Sequence, residues 1–254
     1  MPTWNPIDYQ KFVDHRLRPT LDLLAQIPLD KPSTVYDLGC GPGHVTRLLA
    51  QRWPAAAVTG IDSSAEMLTT AREGTPDVTF LQADIAQWSP PEPADLLFSS
   101  ATLHWLDNHW QLLPRLVSHL APSGVLAVQM PNNRDASCHR LIEAVAADGP
   151  WRSQLSKVRG WSAESAESYY KILAPLTHRV DIWEAEHLHV LEGDNPVFAW
   201  IKGAALRPYL DAFDKSTHSA FLTACANRIA VAYPKQPDGR TLLSFRRIFL
   251  IAQA

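Results

Sequence analysis

From Ser33 to Pro131, short β-branched or apolar runs alternate with stretches whose apolar positions recur every three or four residues. TVYDLG, AVTGID, VTFLQAD, ADLLFSSA and GVLAVQMP read as strands. VTRLLAQRW, stopped by Pro54, reads as a helix, as do SSAEMLTTAREG and NHWQLLPRLVSHL. Ser63 and Glu66 have the spacing of a capping box at the start of the second helix. Such alternation predicts parallel βαβ units with right-handed crossovers, hence a doubly wound α/β sheet covered by helices on both faces.

The rhythm changes after Pro131. Residues 132–178 are irregularly helical, with ASCHRLIEAVAADG the clearest amphipathic piece, and HRVDIWEAEHLHVL alternates like a half-exposed strand. NPVFAWIKGAALRPYLDAF and STHSAFLTACANRIAVAY return to helical periodicity, QPDGR is a turn, and LLSFRRIFLIAQA closes as a strand. The expected organisation is one domain over 1–254. Its core is 33–131 plus strands near 180–191 and 242–253, and its helical lid comes from 1–30, 132–178 and 194–233.

Gly39, Gly41 and Gly43 follow the first strand and precede a helix. A dinucleotide fingerprint would be GxGxxG; here the third glycine falls one residue early. Asp37 precedes the first glycine by two residues, where a carboxylate repels a pyrophosphate but suits an ammonium. Asp62 ends the second strand, where an acid can bind both ribose hydroxyls. Asp84 ends the third, where it can accept the amino hydrogens of an adenine while the Ile85 N–H donates to the ring. Three acids at successive strand ends on the glycine-turn edge mark a nucleoside site, because open α/β sheets bind ligands along that edge. An amine-bearing nucleoside, S-adenosylmethionine, fits this set better than NAD.

Composition narrows the field further. With 46% apolar and 19% charged residues the chain reads as globular, and its net charge of −3 argues against a broad nucleic-acid surface. Cys40, Cys138 and Cys225 are scattered, which reads as reduced thiols in a cytoplasmic protein, with neither a disulfide framework nor a zinc site. No apolar run reaches the roughly 18 residues of a membrane span, so no membrane partner is expected.

Asp37-Leu-Gly39-Cys-Gly41-Pro-Gly43, with Asp62 and Asp84-Ile85, resembles the class I S-adenosylmethionine-dependent methyltransferases. The resemblance implies strand order 3-2-1-4-5-7-6 with an antiparallel last strand, and S-adenosylmethionine as methyl donor, leaving S-adenosylhomocysteine. It carries Ser63 and Ser99 into the candidate cofactor site, Ser99 through a backbone carbonyl facing the methionine amine. WNPIDYQKF, RLRPTLDLLAQIPL, GVLAVQMPNN, VDIWEAEH and ALRPYL together resemble a narrower family, the trans-aconitate methyltransferases. That resemblance implies esterification of one carboxylate of a small tricarboxylate. The alternatives are another small acid or hydroxylated metabolite, or a cofactor-binding subunit without catalysis.

A carboxylate nucleophile, with an ordinary pKa of about 4, is already ionised near neutral pH, so the chemistry needs alignment and exclusion of water rather than a base. Cations must hold the other carboxylates, and arginine suits that task best. Arg16, Arg18 and Arg207 are candidates, and His104 and Trp105, after the fourth strand, are positioning candidates. Tyr9 is a candidate wall of the methyl site. Arg246 and Arg247 are adjacent in a strand, so at most one can enter the pocket. A monomer or weak dimer is expected.

Overall fold

Strands β1 (Thr34–Leu38), β2 (Ala57–Asp62), β3 (Thr79–Gln82), β4 (Ala94–Ser100), β5 (Leu120–Pro131), β6 (Arg179–Leu191) and β7 (Thr241–Gln253) form one sheet of order β3-β2-β1-β4-β5-β7-β6. The computed structural model describes residues 13–73, 78–155, 158, 163–203 and 205–254, and of 13–16 and 215 the backbone alone. Pairings from β3 through β5 are parallel, and β7 runs antiparallel to β5, with Met130 opposite Ile248. This is the expected strand order.

Between the strands stand α1 (Val13–Ala25), α2 (His44–Arg52), α3 (Ala65–Arg72) and α4 (His109–Val117). They are followed by α5 (Ser137–Asp148), α6 (Arg152–Leu155), α7 (Ala166–Leu173), α8 (Pro196–Lys202), α9 (Arg207–Leu210) and α10 (Lys215–Ala232). Strand alternation explains the layering. Val35, Leu96, Phe98 and Phe249 pack on one face with Leu23 and Leu24 of α1 and Leu49 of α2. Their neighbours Tyr36, Leu97 and Leu250 face the other way, against Leu113 and Leu116 of α4 and Ile172 of α7. Both faces are apolar, as a parallel sheet covered on both sides requires.

The chain divides into two compact units. A sheet unit comprises Arg16–Pro131, Ser162–Ala185 and Arg247–Ala254; a helical unit takes in Asn132–Trp161 and Glu186–Arg246. The boundaries differ from those expected of the lid. The buried face of α1 and all of α7 belong with the sheet, because Leu23 packs on the β1 and β4 side chains and Tyr169, Ile172 and Leu173 pack beside α4. Conversely, Leu191, Leu243 and Phe245, at the ends of β6 and β7, join Ile142, Trp200 and Phe221 in the core of the helical unit.

Two local expectations also change. The cap of α3 is Ser64, whose hydroxyl accepts the Met67 N–H at 3.2 Å, so the capping box does not start at Ser63. The reason lies one residue earlier: Asp62 accepts the Ser64 N–H at 2.8 Å and holds the chain extended for one more residue. NPVFAWIKGAALRPYLDAF is not one helix but two, because Pro208 has no N–H and is accommodated in the first turn of a new helix, α9.

Candidate functional site

The glycine turn is built by close approach as well as by backbone sign. Gly39, Gly41 and Gly43 have φ of +79°, +53° and +80°, the left-handed region that costs an L-residue roughly 1–2 kcal/mol. A Cβ on Gly39 would lie 2.1 Å from the Thr102 methyl carbon, so side chain and Thr102 cannot both be present. Thr102 reaches that position because β4 is followed by Ala101, at φ +55° with its N–H on the Gln129 carbonyl, and the Thr102 hydroxyl donates to the Gly39 carbonyl at 3.2 Å. Of the three glycines, Gly41 faces open space, with nothing within 4 Å of where its Cβ would stand, whereas Gly39 is covered by Thr102 and Gly43 by Phe80.

Asp62 ties this turn to the second strand. One carboxylate oxygen accepts the Gly41 N–H at 2.9 Å and the other the Ser64 N–H at 2.8 Å. The Gly39 and Cys40 N–H groups bond the Ile61 carbonyl at 2.7 and 2.9 Å. An ionised carboxylate has about four lone-pair sites, so Asp62 retains acceptor capacity for a diol after making these two bonds. Ser63 beside it is half-buried.

Asp37 is 1% exposed and accepts a hydrogen bond from the Thr46 hydroxyl at 2.7 Å. Burial pushes its pKa up to about 7; the Thr46 bond pulls down and the charge of Asp62 adds to the rise. A carboxylate desolvated this strongly, beside a second acid, favours a cationic ligand. Asp84 is exposed at the end of β3 and opens a tight turn. Its side chain accepts the Ala86 N–H, and its carbonyl accepts those of Gln87 and Trp88, while Ile85 is buried. Arg115 of α4 closes this turn from below by donating to the carbonyls of both Ile85 and Trp88. Ser99 is fully buried, and its hydroxyl donates to the Leu38 carbonyl at 3.0 Å, so its side chain serves the sheet.

His104 and Trp105 lie on a 3₁₀ turn, Leu103–Trp105, with ring centroids 4.7 Å apart. That turn is held by His109, whose Nε2 bonds the Leu103 carbonyl at 2.9 Å and whose Nδ1 meets the Tyr169 hydroxyl at 2.7 Å. A carbonyl only accepts, so Nε2 donates to Leu103. Burial, then the charges of Arg247 and His109, hold His104 well below the ordinary imidazole range, so it is neutral near pH 7.

The structure thus joins Asp37, Gly39, Gly41, Asp62 and Ser63 in one connected set, with Asp84 and Ile85 on the same sheet edge. Arg18 is exposed on α1, and Arg207 is half-buried at the start of α9 in the helical unit. Tyr9 and the side chain of Arg16 lie outside the described residues. Thr102, Gln129 and Arg115 had no local signature, because each acts on a residue far away in sequence. Arg247 was one of two strand alternatives, and it is the buried one.

Comparison with known proteins finds a methyltransferase-domain family match over residues 35–124. The chain is 46% identical over 253 residues to the trans-aconitate 2-methyltransferase of Azoarcus sp. (strain BH72), covering 99% of each chain. It is 44% identical over 256 residues to the enzyme of the same name from Yersinia pestis (strain Pestoides F), covering 100% of this chain and 99% of the other. Among solved structures, the YcgJ protein of Bacillus subtilis superimposes with a TM-score of 0.59 at 14% identity, covering 94% of this chain and 98% of that one. A phosphoethanolamine N-methyltransferase of Haemonchus contortus superimposes at 0.56 and 16% identity, covering 92% of this chain and 52% of that one. At those identities the two structures speak to the fold, which is that of the class I methyltransferases.

Proposed function

The chain belongs to the trans-aconitate 2-methyltransferase family, and from that premise we propose that it transfers the methyl of S-adenosylmethionine to one carboxylate of trans-aconitate, leaving a monomethyl ester and S-adenosylhomocysteine. The observation that carries the reading is the identity to those enzymes over the whole length. It extends past the nucleotide-binding half into the helical unit, where class I folds differ. The cofactor fit rests on this chain's own groups: the open backbone of Gly41 in the glycine turn, the two-oxygen acceptor of Asp62, and the desolvated Asp37.

When bound, S-adenosylmethionine supplies an electrophilic methyl on a sulfonium. In this reading Asp37 receives the ammonium of the amino-acid tail, Asp62 the ribose hydroxyls, and Asp84 with the Ile85 N–H the adenine, while Ser63 and the Ser99 carbonyl remain cofactor candidates. The substrate carboxylate is ionised near neutral pH, so no residue need remove a proton. A neutral His104 accords with that, as it adds hydrogen bonding at the β4 end without a second positive charge to quench the attacking oxygen. Arg207 is proposed to bind a non-reacting carboxylate; Arg207→Ala is expected to raise the KM for the tricarboxylate at least 10-fold and leave cofactor affinity within about twofold. Three buried free cysteines, Cys40, Cys138 and Cys225, support a reducing compartment, the cytoplasm. Among the described residues no helix is long and apolar enough to cross a membrane.

The test is methyl-labelled cofactor, purified protein and a panel of tri-, di- and monocarboxylates, phenols and amines, with products identified by mass spectrometry. A labelled monomethyl ester of trans-aconitate is the expected result. Turnover of another acceptor with none on trans-aconitate would overturn the substrate assignment, and cofactor binding without transfer to any acceptor would overturn catalysis.

A further inference from the structure

Thr46 lies in α2, the helix that follows the glycine turn, and is fully buried. A helical threonine can satisfy its hydroxyl on the carbonyl four residues back. Here that carbonyl, of Pro42, receives Nη1 of Arg47 at 3.2 Å. The Thr46 hydroxyl is turned across to β1 instead, where it donates to Oδ2 of Asp37 at 2.7 Å. Branching at Cβ leaves threonine few rotamers, so the packing of α2 on the sheet fixes the direction of this bond. Among the described residues it is the one hydrogen bond made to the Asp37 carboxylate.

The remaining surroundings of Asp37 oppose its charge or leave it alone. β2 meets it with Gly60 and β4 with Phe98, and α1 packs on the same face through Leu23 and Leu24. On α1, Arg18 is exposed and Asp22 half-buried. The nearby ionisable groups are Asp62, whose charge disfavours a second carboxylate, and the Cys40 thiol, which burial keeps protonated. Of the cations on α2, His44 is exposed and held below the ordinary imidazole range, and Arg47 is directed to the carbonyls of Pro42, Ala71 and Glu73. One hydroxyl therefore works against burial and a second acid, and the Asp37 pKa comes to about 7. Near neutral pH a large share of ligand-free molecules thus hold this carboxyl protonated, whereas a ligand ammonium requires it ionised.

We infer that Thr46 is a positioning residue of the cofactor site: by holding one oxygen of Asp37 it presents the other to the ligand ammonium and sets the pH range in which the site accepts an amine-bearing nucleoside. The inference rests on the proposed reading in which Asp37 receives that ammonium. It carries a stoichiometric consequence. As the ligand binds, the O–H bond of the Asp37 carboxyl breaks, its electron pair stays on the carboxylate and its proton passes to the buffer. The ligand ammonium keeps its own protons, so binding releases up to one proton per site.

The test compares wild type, Thr46→Val and Thr46→Ser by calorimetry from pH 5.5 to 8.5. Each titration is run in two buffers of different ionisation enthalpy, which counts the protons released. The ligands are S-adenosylhomocysteine and 5′-methylthioadenosine, which lacks the amino-acid tail. Wild type is expected to release close to one proton with S-adenosylhomocysteine at pH 6 and close to none at pH 8.5. Thr46→Val keeps the shape and loses the hydroxyl. Its S-adenosylhomocysteine affinity should be about tenfold lower at pH 6 and return to within about threefold of wild type at pH 8.5. At pH 8 it should still release about half a proton, against about a tenth for wild type. Thr46→Ser should follow wild type within about threefold throughout. 5′-Methylthioadenosine should bind all three proteins alike and release no proton.

Urea unfolding without ligand gives a second readout. The folded-state pKa of Asp37 lies above its unfolded value, so the linked stability is present in acid and lost as pH rises through the folded pKa. That loss should move to higher pH in Thr46→Val and stay in place in Thr46→Ser. An affinity profile and proton count for Thr46→Val that coincide with wild type, or equal losses for both ligands at every pH, would overturn the inference; Thr46→Ala makes the same comparison should Thr46→Val fail to fold. Equal proton release with both ligands in wild type would instead overturn the placement of the ammonium at Asp37, and failure of wild type to bind S-adenosylhomocysteine would overturn the function from which the inference starts.

Discussion

Asp37 makes a sharp prediction because its burial sets stability against binding. In the protein without ligand its pKa is raised from 3.8 to about 7, chiefly by burial, against the pull of the Thr46 hydrogen bond and with the push of Asp62. The sign follows from which state holds the proton. The unfolded chain releases it near 3.8 and the folded chain near 7, so the folded state binds more protons throughout that window. Stability associated with Asp37 is therefore complete below the lower value and is lost as pH rises through the upper one. At about 1.4 kcal/mol per pKa unit, the loss amounts to about 2 kcal/mol at pH 5 and about 4 kcal/mol above pH 7.5.

Asp37→Asn removes the ionisation while keeping the size of the side chain and an oxygen for Thr46. Urea unfolding of wild type and variant, both without ligand, should give stabilities that diverge as pH rises from 4 to 8, with the variant more stable by about 4 kcal/mol at the upper end. Taking the difference cancels the pH dependence of buried histidines such as His139, which runs the other way because its pKa is lowered by burial to about 4. Cofactor binding must show the converse. A ligand ammonium favours ionised Asp37, so wild-type affinity for S-adenosylhomocysteine should rise about tenfold per pH unit from 5 to 7 and then level, and the variant's should be weak and flat. Parallel stability profiles for the two proteins, or a wild-type affinity indifferent to pH below 7, would refute the reasoning.

Gly39→Ala should reduce cofactor affinity at least 10-fold and destabilise the fold by about 2 kcal/mol, since its Cβ meets Thr102 at 2.1 Å in a left-handed backbone. Pairing it with Thr102→Gly should recover part of both losses, as read by calorimetry and urea titration. Ser64→Ala should cost about 1 kcal/mol in the same titration and Ser63→Ala much less, because the Met67 N–H bonds the former. Arg115→Met frees the carbonyls of Ile85 and Trp88. It should weaken S-adenosylhomocysteine binding more than 10-fold while hardly changing affinity for the same ligand without its adenine; equal losses for both would mean general destabilisation.

What the sequence made legible was whatever is local. Strand-to-helix alternation is local, as are the glycines and the acids two residues before and at the strand ends; alternation gave a doubly wound sheet, and the strand order came from the family resemblance those local motifs carry. Pairs that close over long separations had no signature. Tyr169 reads as part of an irregular helical insertion until its hydroxyl is found on His109, which draws α7 onto the sheet. Thr102 reads as a loop residue until it is found covering Gly39. The serine pair before α3 shows that even a local signal is ambiguous by one position, because the cap was decided by which N–H Asp62 had already taken.

The arginine pair on β7 shows why such information is partly present and still insufficient. Alternation requires Arg246 and Arg247 to face opposite sides, so one is buried whenever the strand is central. Which one is decided by registry with β5: placing Arg247 opposite Pro131 puts its side chain on the same face as Gln129, two residues earlier. A shift of one residue would bury Arg246 and turn Phe245, Phe249 and Ile251 to the wrong faces. The apolar residues on either side of the pair thus select the register, and the register selects the cation. Which arginine is buried is thus a consequence of how the core packs, which is why the pair could be recognised as chemically suggestive from its residue types but assigned to its faces only once the strands were paired.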